Sequence, residues 1–284
     1  MEKIELLAPV GNMESLYAAV NNGADAIYLG GPKFSARAKA IEFDNEKMKV
    51  AADYCHSYGV KIYVTMNTIL KEKELKDAIK YAGYLYEIGI DALIIQDLGF
   101  LKLIKEKYPD FEVHASTQMT IHNGEGAVYF TEKGFKRVVL SRELSLEEIE
   151  YISKDLGIET EIFVHGALCV SYSGQCLMSS MIGGRSGNRG KCAQPCRQEY
   201  KLISASGGEK KGHLLSTKDT CTIDDMKDII ESGALSLKVE GRMKRPEYVA
   251  GVIETYRKAI DKELENREFN VEEGKKTLLQ IGRA

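Results

Sequence analysis

The 284-residue chain has no apolar run approaching the roughly 20 residues of a membrane-spanning helix, which argues against a helical anchor. It also lacks an excess of one charge. Its 39 Lys+Arg stand against 42 Asp+Glu, a formal −3, so there is no global nucleic-acid signature. No G-x-S-x-G elbow is present, which removes the usual serine-hydrolase nucleophile, and no H-E-x-x-H, which removes the zinc-protease helix. No repeat or low-complexity segment breaks the chain. The opening MEKIELLAPVG reads as a strand and turn rather than a secretory leader. The expected compartment is therefore cytoplasmic, where disulfides are disfavoured and clustered cysteines more often bind metal.

Cysteine is scarce, yet four of the six lie in one stretch, Glu161 to Arg197. Cys169, Cys176, Cys192 and Cys196 follow the spacing C-x6-C-x15-C-x3-C among Gly166, Gly174, Gly183, Gly184, Gly187 and Gly190. Glycine lets a backbone approach a bound group closely. Unlinked buried thiols are a serious reading for Cys55 and Cys221, but a poor one for four thiols in a glycine-rich loop. Structural zinc favours two pairs of cysteines spaced by two to four residues. Only Cys192 and Cys196 form such a pair, so the spacing ranks a 4Fe-4S cluster above zinc, with zinc kept as the alternative.

The rest of the chain alternates. Strands are expected at Ile4–Ala8, Asp25–Leu29, Lys61–Met66, Ala92–Gln96, Glu112–Ala115, Arg137–Leu140, Thr160–Val164 and Leu235–Val239, with helices between them. Asp44 and Ser145, the latter with Glu148, are placed to cap helices. Eight such units predict a closed (β/α)8 TIM-like barrel over residues 1–264, with a doubly wound open sheet as runner-up. The cysteine-rich loop, 166–200, is an insertion after strand seven, followed by a short hairpin. Residues 265–284 are charged with little apolar pattern and read as a tail or linker, possibly truncated.

In a barrel of this kind the site lies at the C-terminal ends of the strands. Those ends carry Lys33, Phe34, Ser35 and Arg37; Asn67; Gln96 and Asp97; His114, Ser116 and Gln118; Ser141, Arg142 and Glu143; His165; and Lys238, Glu240 and Arg242. Each alone reads as a loop cap or a surface charge. Their concentration at one face marks a candidate site.

The segment Glu161, Phe163, Gly166, Ala167, Leu168, Cys169, Gly174, Cys176, Met178, Ser179 resembles the signature of the peptidase U32 family, the collagenase-like proteases. LLAPVGNMESLYAAVNNGADAIYLG, HASTQMTIHN, GGRSGNRGKCAQPCR and LKVEGRMKRPEYVA resemble it too, so the likeness covers nearly the whole chain. The resemblance implies either peptidase activity or oxygen-independent hydroxylation of RNA bases or ubiquinone precursors, with prephenate as hydroxyl source in the RNA work. It also implies cluster ligation by Cys169, Cys176, Cys192 and Cys196, with Cys221 in reserve. Redox hydroxylation of a tRNA or rRNA pyrimidine is the favoured expectation, because thiolates committed to a cluster are not free nucleophiles. The alternative is a metal-dependent peptidase. His114, His165 and Glu161 are its candidate ligands, and with Glu240 they form the candidate catalytic set. A small carboxylic acid co-substrate would be met by Arg142 and Arg242, then Arg37, since guanidinium binds carboxylate bidentately. Asn67 and Gln118 complete the expected binding set. Arg185, Arg189, Lys191 and Arg197 give the cysteine loop +4 with no acid from Gly183 to Arg197, suited either to RNA phosphates or to balancing an anionic cluster. Homo- or hetero-oligomers are a further expectation.

Overall fold

The computed structural model describes residues 4–36 and 42–282. Seven parallel strands come first: β1 (Glu5–Pro9), β2 (Ala26–Gly30), β3 (Lys61–Met66), β4 (Ala92–Ile95), β5 (Glu112–Ala115), β6 (Arg137–Val139) and β7 (Thr160–Gly166). The cysteine loop follows, then an antiparallel hairpin of β8 (Tyr200–Ile203) and β9 (Glu209–Gly212). The two-residue β10 (Thr220–Cys221) pairs antiparallel with the end of β7. The eighth barrel strand, β11 (Ser236–Val239), lies between β7 and β1, and β6 pairs with β7. That last pairing closes the sheet, so the architecture is the (β/α)8 barrel and not the open sheet.

Helices α1 (Met13–Asn21), α2 (Asn45–Ser57), α3 (Glu72–Glu87), α4 (Leu98–Lys107) and α5 (Gly124–Glu132) return the chain between successive strands. Next come α6 (Leu146–Glu150), which runs on into a π-helical turn, α7 (Met178–Gly183) inside the cysteine loop, α8 (Met226–Glu231) and α9 (Pro246–Leu264). The start signals act as their chemistry predicts. Asp44 accepts from the Lys47 N–H, and Ser145 and Glu148 form a reciprocal capping box.

The strands alternate between two interiors. Leu6, Ile27, Val64, Ile95 and Val113 pack outward beneath the helices, while Leu7, Ala26, Tyr28, Tyr63, Ala92 and Ile94 fill the barrel itself. Residues 265–284 differ from the expected linker, because α10 (Val271–Gly282) is helical and packs on α9. Gly251 permits this contact: a Cβ there would stand 2.1 Å from Ile281 Cδ1. Leu278 is buried in the same seam. Among the described residues no helix is long and apolar enough to cross a membrane.

Candidate active site at the C-terminal mouth of the barrel

The barrel floor is ionic. Glu5 accepts from Arg137 Nη1 at 2.5 Å, Tyr63 Oη at 2.6 Å and Ser236 Oγ at 2.7 Å. Arg137 also donates to Glu159 at 2.7 Å and stands 3.5 Å from Glu161. Glu161 accepts from Lys238 Nζ at 2.6 Å. Burial would raise the Glu5 carboxyl, but Arg137, with its charge and hydrogen bonds, holds it below its ordinary value. Burial pulls the Lys238 ammonium down, and Glu161 opposes it. His114 has 0 % exposure, sits edge-on to Tyr63 and bonds Glu112 at 2.8 Å.

This geometry corrects the expected grouping of His114, His165 and Glu161 as ligands at one opening. His114 and Glu161 are paired floor residues. His165 points out of the barrel against Tyr248 and Tyr256 of α9, with Nδ1 3.3 Å from Tyr256 Oη. Burial there drops its pKa to about 4, so the imidazole is neutral. Among the described residues no three His, Cys, Asp or Glu side chains are grouped so as to hold one metal ion.

Above the floor, cations and rings alternate. The Arg142 guanidinium lies 3.9 Å over the Phe163 ring. Lys238 Nζ is 5.5 Å from Phe163 and 4.1 Å from Tyr28, and Arg242 Cζ is 5.3 Å from Tyr28. Arg242 donates to the Ser35 and Thr65 hydroxyls at 3.3 and 2.9 Å. Glu240 Oε2 is 3.4 Å from Tyr28 Oη. Asn67 accepts from the Ala36 N–H and donates to Ser116, whose hydroxyl also accepts from the Gln118 N–H. Asn67, Gln118, Arg142, Arg242 and Glu240 therefore occur at the mouth; Arg37 lies outside the described residues. No carboxylate among the described residues pairs with the Arg142 guanidinium.

The cysteine loop crosses this mouth. On one side Ser173 donates through its N–H and hydroxyl to Glu143, at 3.0 and 3.2 Å, and its carbonyl accepts from Thr120. Gly174, at φ +75°, lies so close that a Cβ would meet the Gln118 carbonyl at 2.5 Å. Thr120 itself is left-handed at φ 61°, a strained conformation for a β-branched residue. On the far side Arg189 bonds the Ile69 carbonyl after β3 and both carboxylate oxygens of Glu74 in α3. Arg189 and the Lys71 N–H bring Glu74 down to about 2. Arg197 is committed to the carbonyls of Leu168 and Thr217 and to Ser216. Of the four loop cations, only Arg185 and Lys191 lack such anchoring across the fold.

Sequence reasoning had no signal for the Glu143–His122–Ser173 group, where His122 Nε2 stands 3.1 Å from the same carboxylate that receives Ser173. Only the meeting of two loops reveals it. Replacing Arg189 with methionine is expected to raise tryptic cleavage at Lys191 several-fold. Global unfolding should shift by less than about 1 kcal/mol, since a half-exposed tie restrains the loop and not the barrel. Limited proteolysis beside a urea titration measures both.

Cys169, Cys176 and Cys192 lie near enough to Cys196 to act on its charge, without closing into a ready-made metal site among the described residues. Partial burial pushes Cys196 up, the neighbouring Cys169, Cys192 and Cys176 push it the same way, and Arg197 opposes. Cys192 Sγ accepts from the Gln194 N–H at 3.3 Å. All six cysteines are free thiols. Cys221 neighbours Tyr248 and Tyr256 of α9. Four thiols on one loop, a sulfur-directed N–H and a nearby guanidinium make a donor set that fits a thiolate-bound cluster.

A closed parallel barrel with a four-thiol loop drawn over its mouth defines the class. The chain belongs to Peptidase family U32, whose family model matches residues 11–282. It is 42 % identical over 270 residues to the 23S rRNA 5-hydroxycytidine C2501 synthase of Escherichia coli (strain K12), covering 93 % of this chain and 40 % of that protein. It is 38 % identical over 268 residues to tRNA hydroxylation protein P1 of Bacillus subtilis (strain 168), covering 92 % of this chain and 64 % of that protein. It thus spans less than two thirds of either relative. The solved U32 peptidase Mk0906 shares the fold, with TM-score 0.54 and 12 % identity over 85 % of this chain and 94 % of that one.

Proposed function

We propose that this chain belongs to an enzyme that hydroxylates a pyrimidine in tRNA or rRNA without molecular oxygen, using a 4Fe-4S cluster held by Cys169, Cys176, Cys192 and Cys196. The observation that carries the reading is that the loop bearing these four thiols crosses a mouth lined by Arg142, Lys238 and Arg242. When bound, such a cluster supplies electron transfer. Zinc is the weaker candidate, because bonds of about 2.3 Å would need the sulfurs within roughly 4 Å of one another, and no such grouping occurs among the described residues. Arg142 is the anchor for a small carboxylic acid co-substrate, prephenate by the family resemblance. Phe163 holds one face of the guanidinium and leaves its N–H edge for a bidentate carboxylate. Arg242, oriented by two hydroxyls, is the second anchor. A cytoplasmic setting agrees with free thiols and an RNA substrate.

The peptidase reading has the family name in its favour and the side-chain order against it. A serine nucleophile needs a base on its hydroxyl and an acid behind the base. At Ser173 the Glu143 carboxylate stands between serine and His122. The test compares tRNA and rRNA nucleosides by mass spectrometry in cells with and without the gene, beside a peptide-cleavage assay on anaerobic protein. Loss of a hydroxylated pyrimidine on deletion supports the proposal. An unchanged nucleoside profile with robust metal-dependent proteolysis defeats it. In a hydroxylation assay on purified protein with the acid varied, Arg142→Ala is expected to raise the KM for the acid about 10- to 100-fold, the scale of a lost charge-assisted pair, and Arg142→Lys to recover only part.

A further inference from the structure

The cysteine loop exposes large side chains beside unpaired cations. Tyr172 is 65 % exposed, Met181 82 % and Ile182 67 %, all within a segment that carries no acidic residue from Ile162 to Gln198. Large exposed side chains on one loop that crosses the barrel mouth suit a surface that meets something. Arg185 and Lys191 lie in the same segment, and no carboxylate among the described residues pairs with either. A surface that combines rings, apolar side chains and unpaired cations fits a single-stranded nucleic acid, whose bases need π-faces and whose backbone needs positive charge. A purely protein partner would be expected to meet a more charge-balanced rim.

Tyr172 is the focus. It lies between Cys169 and Cys176 in sequence, and the next residue, Ser173, is clamped by Glu143 and Thr120. Its ring is 5.5 Å from the ring of His122, which is itself held by Glu143 and the Thr120 carbonyl. The ring is thus both exposed and preorganised, so stacking a base on it loses little side-chain freedom.

We propose that Tyr172 is a stacking platform for one base of a single-stranded RNA loop, with Arg185 and Lys191, elsewhere on the same cysteine loop, meeting phosphates further along the strand, so that the RNA is delivered beside the cysteine loop. This deepens the reading of the chain as an RNA-modifying protein and rests on it. The binding face itself is the new assignment.

The test is fluorescence anisotropy with anaerobically purified protein, a labelled unstructured pyrimidine-rich RNA 12-mer and a duplex of the same length, over a salt series. The single strand is expected to bind more tightly than the duplex. Tyr172→Ala should weaken single-strand binding about tenfold or more, and Tyr172→Phe, which keeps the π-face, should not. Arg185→Ala and Lys191→Ala should each lower the slope of log K against log salt by about 0.7. Equal binding of duplex and single strand, or full affinity in Tyr172→Ala, overturns the platform while leaving RNA as the substrate. No RNA binding, with self-association abolished by Met181→Asp, overturns both the platform and the RNA reading, and makes this face a contact between copies of the chain.

Discussion

Cys176→Ala, purified without oxygen, is expected to be nearly colourless and to retain little iron, where the parent should be brown with about four irons per chain. The same loss is expected for Cys169, Cys192 and Cys196, because each is a proposed ligand of the same cluster. Two internal controls make the result specific. Burial pushes the Cys55 thiol up to about 12, so it stays protonated and offers no thiolate. Cys221 sits beside α9 with Tyr248 and Tyr256. Cys55→Ala and Cys221→Ala should therefore both keep their iron. The measurement is iron and sulfide analysis with the visible spectrum. Stoichiometric zinc in a colourless parent protein would defeat the cluster. Iron lost from Cys221→Ala but kept in Cys196→Ala would move the fourth ligand.

Much of the barrel could be read in advance because local and global signals agree. Apolar runs of strand length alternate with amphipathic helices, and Asp44 and Ser145 cap where their side chains predict. The mouth residues Asn67, Gln118, Arg142, Glu240 and Arg242 followed from counting to the ends of strands. What failed has particular causes. Counting in twos from Glu161 and Phe163 sends His165 inward as well. The register between β7 and β11 skips a residue, Phe163 facing Lys238 and His165 facing Val239, and this bulge turns His165 outward onto α9. His114 lies close to the end of its strand and Glu161 near the start of β7, yet both side chains bond within the floor. The loop's own sequence holds four cations without an acid, and the partner of Arg189, Glu74, is far away in the chain. The helix α10 shows too few apolar positions to be seen without α9, against which Leu278 and Ile281 pack.

Replacing Arg137 with methionine is expected to cost about 3–5 kcal/mol of stability, the range for removing one partner from a buried ionic group. Arg137 is almost wholly buried and faces Glu5, Glu159 and Glu161. Burial alone would lower its pKa, yet Glu5 and Glu161 raise it, so it stays charged. The pH dependence carries the sharper signature. In the parent, Glu5 is held below its ordinary 4.5 when folded. Its contribution is then complete above that value and is lost as the pH falls through the folded pKa. Without Arg137, burial becomes the dominant influence and lifts the folded pKa of Glu5 above 4.5. That sign reverses the slope. The folded variant takes up a proton, so its stability should rise as the pH falls from 7 toward 5, while the parent gains nothing from this group over that interval. Urea titrations at several pH values measure both slopes. Parallel curves for parent and variant would show that Arg137 does not govern the floor carboxylates. A loss below about 1 kcal/mol would show that water reaches the barrel floor and screens it.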